Sequence, residues 1–116
     1  MSKTNYPTRS QLKKYFGVNE VVFGNLLNSC MHEISLGISS MTLHINQSDY
    51  TKLAESAHRV KGAISYLRLP TLEKELKDLE LSSRSIESNE KTINQMTKKS
   101  CRDLQQLLKY ISELCQ

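Results

Sequence analysis

Apolar residues recur along this chain at intervals of three and four, which is the spacing of one face of an α-helix. The longest such stripe has successive spacings of 4, 3, 4, 4, 3 and 4 residues. It comprises Phe23, Leu27, Cys30, Ile34, Ile38, Met41 and Ile45. The pattern predicts a long amphipathic helix over about 19–46, with the apolar side chains directed into a core.

The same reasoning predicts four further helices, over about 8–16, 49–67, 71–82 and 89–114. Thr8 and Gln11 match a capping box at the start of the first helix, and Gly17 is a stop signal after it. Pro70 separates the third helix from the fourth, because proline lacks the backbone N–H and disfavours helix in the preceding residue. Long amphipathic helices with short connections predict an all-α fold, an antiparallel four-helix bundle with a short additional N-terminal helix.

Composition agrees with one domain spanning residues 1–116. The chain is 38% hydrophobic, with four Gly, two Pro and no Trp, and no segment is read as a strand. No run approaches the ~20 apolar residues of a membrane-spanning helix, and the polar N-terminus does not resemble a secretory signal. We therefore expect a cytoplasmic protein without membrane contact.

Cysteine content and charge leave the partner open. The three cysteines are odd in number and form no C-x-x-C pair, which favours reduced thiols over disulfides or a metal site. A net charge of +4 suits either nucleic acid or an acidic site on a partner protein. Because the positive charges are spread along the chain, nucleic acid is not the expected partner. The absence of a Gly-rich phosphate loop or ATP-lid motif argues against an ATP-dependent kinase.

Candidate chemistry lies at the rim of the third helix. His58, Lys61 and Ser65 each follow a core position by one residue, so they form a second row that solvent can reach. An antiparallel fourth helix places a matching row beside them. The expected pairs at similar height are His58 with Glu80, Lys61 with Lys77, and Ser65 with Glu73.

An exposed imidazole beside a carboxylate and two ammonium groups suits a phosphate acceptor. Glu80 would hold the proton of one ring nitrogen of His58 and leave the other lone pair free to attack. Gly62, four residues after His58, would leave the approach of a partner unobstructed, although glycine inside a helix costs roughly 1 kcal/mol relative to alanine. Gly37 on the second helix fits either extra room for a partner or close helix packing.

The stretch AHRVKGAISYL, followed by LPTLEKELKDLE, resembles the histidine-containing phosphotransfer (HPt) domain of phosphorelays. The resemblance implies that His58 carries the phosphoryl group, that Lys61 supports it and that Glu80 orients the ring. The expected docking surface consists of Arg59, Gly62, Ser65 and Lys77. Two positions depart from the family pattern, because Arg68 stands where glycine is common and Tyr66 where a small residue is common.

The resemblance implies a phosphorelay intermediate that exchanges phosphoryl groups with response-regulator receiver domains, or with a hybrid sensor histidine kinase. It would be a phosphohistidine carrier and a monomer, without a cofactor of its own, and Mg²⁺ would belong to the partner receiver. The alternative is a helical adaptor that docks signalling proteins without being phosphorylated. The sequence fits equally a free-standing protein and a domain of a larger sensor kinase.

Overall fold

The computed structural model describes residues 6–115. It contains five α-helices: α1 (Arg9–Phe16), α2 (Glu20–Asn46), α3 (Tyr50–Ile64), α4 (Pro70–Arg84) and α5 (Glu90–Leu114). A 3₁₀ turn, Ser65–Leu67, follows α3 directly. No strand occurs within residues 6–115, and none of the helices described there is both long and apolar enough to cross a membrane.

Short polar side chains cap the starts of four helices. Thr8 accepts a hydrogen bond from the backbone of Gln11 at α1, and the Gln11 side chain bonds back to the Thr8 backbone, so the predicted capping box is present. Asn19, Asp49 and Asn89 cap α2, α3 and α5 in a similar way. Each cap satisfies a backbone donor that the helix itself leaves unpaired, which is why these helices begin where they do.

Helices α2 to α5 form the predicted antiparallel four-helix bundle. Each packs against the next along the chain, and α5 closes the ring by packing against α2. The buried face of each helix contributes to one continuous core. The core residues include Leu27, Ile34, Met41, Leu53, Ile64, Leu76, Leu79, Leu104 and Leu107, all at most 1% exposed. The all-α prediction and its short extra N-terminal helix are confirmed.

The bundle helices have two different lengths, and α1 compensates for the difference. Helices α2 and α5 have 27 and 25 residues, whereas α3 and α4 have 15 each. Helix α1 packs against α2 and against the 3₁₀ turn at the end of α3, and its Leu12 is completely buried. The short N-terminal helix therefore covers apolar surface at the corner between α3 and α4.

Two helix boundaries differ from the predicted ones by more than one residue. Helix α3 ends at Ile64 rather than Leu67, because the 3₁₀ turn tightens the chain before Arg68 adopts a left-handed conformation with φ 55°. Helix α4 continues to Arg84, two residues beyond the predicted end at 82. Ser83 in this extension is buried, and its hydroxyl is satisfied inside the packed helix because it donates to the Leu79 carbonyl.

Gly37 is required for close packing of α2 against α3 and not for the approach of a partner. It is buried in α2, and a Cβ atom at this position would lie 1.9 Å from Cγ2 of Val60 on α3. No real pair of carbon atoms tolerates that separation, so only glycine lets the two backbones approach this closely. Of the two interpretations left open for Gly37, the structure supports close helix packing.

Candidate functional site

The site is centred on His58 of α3 and Glu80 of α4. The Nδ1 atom of His58 lies 3.1 Å from Oε1 of Glu80. An ionised carboxylate can only accept a hydrogen bond, so Nδ1 carries the proton and donates it, which leaves a lone pair on Nε2 of the neutral ring. The His58 side chain is 65% exposed, whereas that of Glu80 is 15% exposed. The structure thus combines an accessible imidazole with a shielded, oriented carboxylate.

Helix geometry explains why these two side chains meet. Both residues follow a buried residue by one position, Ala57 on α3 and Leu79 on α4. Because the two helices are antiparallel, the two offset rows lie on the same side of their shared interface. The core contacts fix the height of one helix relative to the other, and the hydrogen bond between His58 and Glu80 follows from that register.

Arg84 is a member of the site that the sequence analysis missed. Its Nε atom lies 3.6 Å from Oε2 of Glu80, so one carboxylate contacts the imidazole through one oxygen and the guanidinium through the other. The available signal was the spacing of four residues between Glu80 and Arg84, which places both on one helix face. This spacing carries no information when the helix is predicted to end at 82, because Arg84 then lies in a loop.

Two lysines flank the pair formed by His58 and Glu80. Lys61 is one turn after His58 on α3 and half-buried, and Lys77 is one turn before Glu80 on α4 and exposed. Within residues 6–115 neither ammonium group forms an ion pair. Together with Arg84, they make the surroundings of the imidazole cationic, which favours a group that carries negative charge.

The surface beside His58 is open at Gly62. A Cβ atom built there would meet nothing within 4 Å apart from its own helix. Gly62 is exposed and lies four residues after His58, so it occupies the neighbouring position on the same helix face. Because glycine has no side chain, the helix surface next to the imidazole is uncovered at position 62.

Two of the expected docking residues, Arg59 and Ser65, form hydrogen bonds of their own. Arg59 is exposed, and its Nε donates to Oε1 of Glu33 on α2 at 3.1 Å. The Ser65 hydroxyl donates to the Gly62 carbonyl at 2.8 Å and so closes the last turn of α3. Glu73, the expected neighbour of Ser65, instead accepts from the Leu69 backbone N–H at 3.2 Å and supports the start of α4. Of the three expected pairs, direct contact therefore occurs between His58 and Glu80.

A second charged cluster joins α4 to α5 and supports the helix that carries Glu80. The Nζ atom of Lys99 donates to Glu75 at 2.7 Å and to Asp103 at 2.8 Å. Burial raises the pKa of Glu75, while the Lys99 ammonium opposes that rise. The pKa of Lys99 itself is raised by its hydrogen bonds to Asp103 and Glu75. This cluster links α5 to α4, the helix that carries Glu80.

Within residues 6–115, no three His, Cys, Asp or Glu side chains are grouped so that they could hold a metal ion. The chemistry available is that of a nucleophilic imidazole with an oriented proton and a cationic rim. This is an arrangement suited to carrying a phosphoryl group.

Comparison with known proteins supports the same class. The family model of the Hpt domain matches residues 25–116, which include all four helices of the bundle in whole or in large part. The chain belongs to the Hpt domain family, and this membership implies histidine phosphotransfer in phosphorelays. Searches of curated proteins and of solved structures gave no significant match.

Proposed function

We propose that this protein is a phosphorelay intermediate that accepts and donates a phosphoryl group on His58, exchanging it with the aspartate of response-regulator receiver domains. The observation that carries the proposal is the hydrogen bond between His58 and Glu80, 3.1 Å long, on a ring that is 65% exposed. A structural histidine would be buried with its partner. Here the partner is shielded and the ring is presented to solvent.

The transfer follows from the free lone pair on Nε2. That atom attacks the phosphorus of a receiver's aspartyl phosphate, an Nε2–P bond forms, and the bond from phosphorus to the aspartate oxygen breaks to release the carboxylate. The imidazole becomes cationic as it reacts, because Nδ1 keeps its proton. Glu80 stabilises that charge through the Nδ1–H bond, and the reverse reaction returns the phosphoryl group to an aspartate.

The cations around His58 suit the charge of the phosphoryl group once it arrives. Lys61 and Lys77 have no competing ion pair within residues 6–115, and Arg84 shares Glu80 with the imidazole. The Mg²⁺ ion belongs to the receiver's aspartate site, and this chain needs no cofactor of its own. The partners are receiver domains, including that of a hybrid sensor histidine kinase, in the cytoplasm, and the protein acts as a monomer.

Replacement of the nucleophile tests the proposal. The protein is incubated with a receiver that carries radiolabelled phosphoaspartate and with Mg²⁺, and the label on the protein is followed. We expect wild type and the exposed-histidine control His32→Gln to be labelled, and His58→Gln to remain unlabelled. The label on wild type should be lost in acid and retained in alkali, because phosphohistidine is a phosphoramidate.

Label that survives in His58→Gln, or that resists acid, would contradict the assignment of His58. A wild-type protein that binds receivers without accepting label would instead identify the alternative, a helical adaptor that is not phosphorylated. Binding is measured in the same samples by calorimetry, so the two results are distinguished directly.

A second experiment examines the carboxylate partner. Glu80→Ala removes a hydrogen bond to a charged group, worth about 1.5–3 kcal/mol, and should slow phosphoryl transfer by roughly ten- to a hundredfold. Glu80→Gln keeps an acceptor for Nδ1–H without the charge and should be affected less. The matched control is Asp78→Ala on the same helix, since Asp78 pairs with Lys74 away from His58. Transfer at the wild-type rate in folded Glu80→Ala would show that Glu80 is only a surface charge.

A further inference from the structure

An exposed aromatic side chain is fixed near the candidate site by helix α1. Tyr66 lies in the 3₁₀ turn after α3 and is 66% exposed. Its ring meets that of Phe16 edge-to-face at 6.2 Å, and Phe16 meets the buried Phe23 in the same manner at 5.3 Å. A tyrosine so exposed yet braced at one edge is a rigid contact surface with little side-chain freedom to lose on binding.

Tyr66 continues the helix row that holds the reacting imidazole. Residues 58, 62 and 66 are spaced by four, which places them successively along one side of the helix and the turn. The rise per residue of an α-helix and a 3₁₀ turn puts Tyr66 about 13 Å from His58 along the axis. Between them lies Gly62, whose surface is bare. A partner can therefore touch His58 and Tyr66 together without meeting an intervening side chain.

The size of ordinary protein interfaces makes that double contact expected. A standard interface covers about 800 Å² on each partner, which corresponds to a disc of about 16 Å radius. A receiver interface of this size that is centred on Nε2 of His58 reaches Tyr66 as well. Tyrosine is among the residue types that dominate binding energy at interfaces. Arg84, Lys61 and Lys77 supply the cationic part of the same surface, which complements the acidic site of a receiver.

The support for Tyr66 comes from a part of the chain outside the family match. Phe16 belongs to α1, which precedes residues 25–116, and the neighbouring Tyr15 ring lies under the guanidinium of Arg68 at 4.4 Å. His58 and Glu80, by contrast, lie within the matched range. We propose that Tyr66, held by α1, is a specificity-determining contact that selects among receiver domains. The inference rests on the proposed phosphotransfer function and adds the residue that governs partner choice.

Single-turnover transfer from each phosphorylated receiver of the source organism tests this proposal. Tyr66→Ala should raise the receiver concentration that gives half-maximal rate by roughly tenfold or more for the preferred receiver, because the aromatic contact is lost. The rate at saturating receiver should change little, since the groups around His58 are intact. For less-favoured receivers the half-saturating concentration should rise by a smaller factor. The difference between the preferred receiver and the others should therefore become smaller. Tyr66→Phe keeps the ring and should remain within about twofold of wild type.

The matched control is Val21→Ala. Val21 is 74% exposed on α2 and does not belong to the row formed by residues 58, 62 and 66. This variant should transfer as wild type does. Thermal melting of every variant shows whether the corner between α3 and α4 is still folded. A wild-type melting temperature excludes misfolding as the cause of slower transfer.

The outcomes separate the two proposals. If wild type is labelled on His58 and Tyr66→Ala shows wild-type half-saturation with every receiver, Tyr66 is not a specificity contact and the phosphotransfer function stands. A fall in the saturating rate without a change in half-saturation would likewise overturn the proposal, because Tyr66 would then act on the chemistry. If no receiver labels wild type on His58, the phosphotransfer function itself fails.

Discussion

Two glycines within neighbouring helices occupy opposite environments. At Gly62 an added methyl group would enter open space on the face that carries His58, whereas at Gly37 it would overlap Val60 across the interface between α2 and α3. The same residue type thus has a packing role on α2 and no packing role on α3. Packing therefore does not account for the helix cost of Gly62, and the proposed function assigns that cost to a clear approach to the imidazole.

We expect opposite stability changes from alanine at these two positions. Gly62→Ala should raise the free energy of unfolding by up to about 1 kcal/mol, because alanine is the better helix former and the unfolded chain loses freedom. Gly37→Ala should lower it by about 1–3 kcal/mol, since Val60 must move. Urea unfolding measures both changes.

Larger side chains at position 62 separate stability from function. Gly62→Gln should melt at or above the wild-type temperature, yet its transfer from receivers should fall because the side chain stands on the approach to His58. A Gly62→Gln protein that transfers at the wild-type rate would remove the docking explanation for this glycine. For Gly37→Ala, the control is the double variant with Val60→Ala, which should lose less stability than the sum of the single changes.

At the scale of elements, α1 completes a bundle whose helices are unequal. The long helices α2 and α5 extend past the corner where α3 and α4 are joined, and α1 packs there against α2 and the 3₁₀ turn. At its C-terminus Gly17 takes a left-handed conformation with φ 64°, which turns the chain towards α2. Glu20 at the start of α2 pairs with Arg9 and Lys13, and these partners lower its pKa to about 2.

Replacement of Leu12, the buried residue that anchors α1, should measure how much α1 contributes to the free energy of unfolding. Leu12→Ala deletes a fully buried side chain and should cost about 2–5 kcal/mol of unfolding free energy. The matched control is Leu43→Ala, because Leu43 is 51% exposed on α2 and its loss should be nearly neutral. Denaturant titration gives both values. A Leu12→Ala protein as stable as Leu43→Ala would mean that α1 adds nothing to the folded bundle.

At the scale of the whole molecule, the closed bundle controls the reactivity of its thiols. The three cysteines are free, with Cys30 buried, Cys101 half-buried and Cys115 exposed. Burial raises the pKa of Cys30 to about 11, with a smaller contribution from the Glu33 carboxylate. The three thiols therefore differ in their access to solvent, from the core to the surface.

Thiol labelling should report this gradient as a measure of bundle opening. At mildly alkaline pH, Cys115 should react with a maleimide or disulfide reagent as fast as a free thiol, and Cys101 more slowly. Cys30 should react only when the bundle opens, because the thiolate is the reactive form and burial disfavours it. Mass spectrometry of timed samples distinguishes the three sites. Modification of Cys30 at the rate of Cys115 in native protein would show that the core around Cys30 opens readily.

The sequence by itself determined the helices and the two residues at the centre of the site. Apolar spacing of three and four residues identifies which face of each helix is buried, and that property depends on local geometry alone. The same counting places His58 and Glu80 at the rims of α3 and α4, and the hydrogen bond between them agrees with that placement.

Tertiary structure decided what depends on the separation and register of helices. The spacing pattern is silent on how closely two backbones approach, so Gly37 became a packing residue only through Val60. The pattern also predicts that α4 ends at 82, whereas the packed helix continues through the buried Ser83 to Arg84 beside Glu80. The bracing of Tyr66 by Phe16 joins positions distant in sequence. Periodicity reports the direction of a side chain from its own helix, and only the assembled core fixes what that side chain meets.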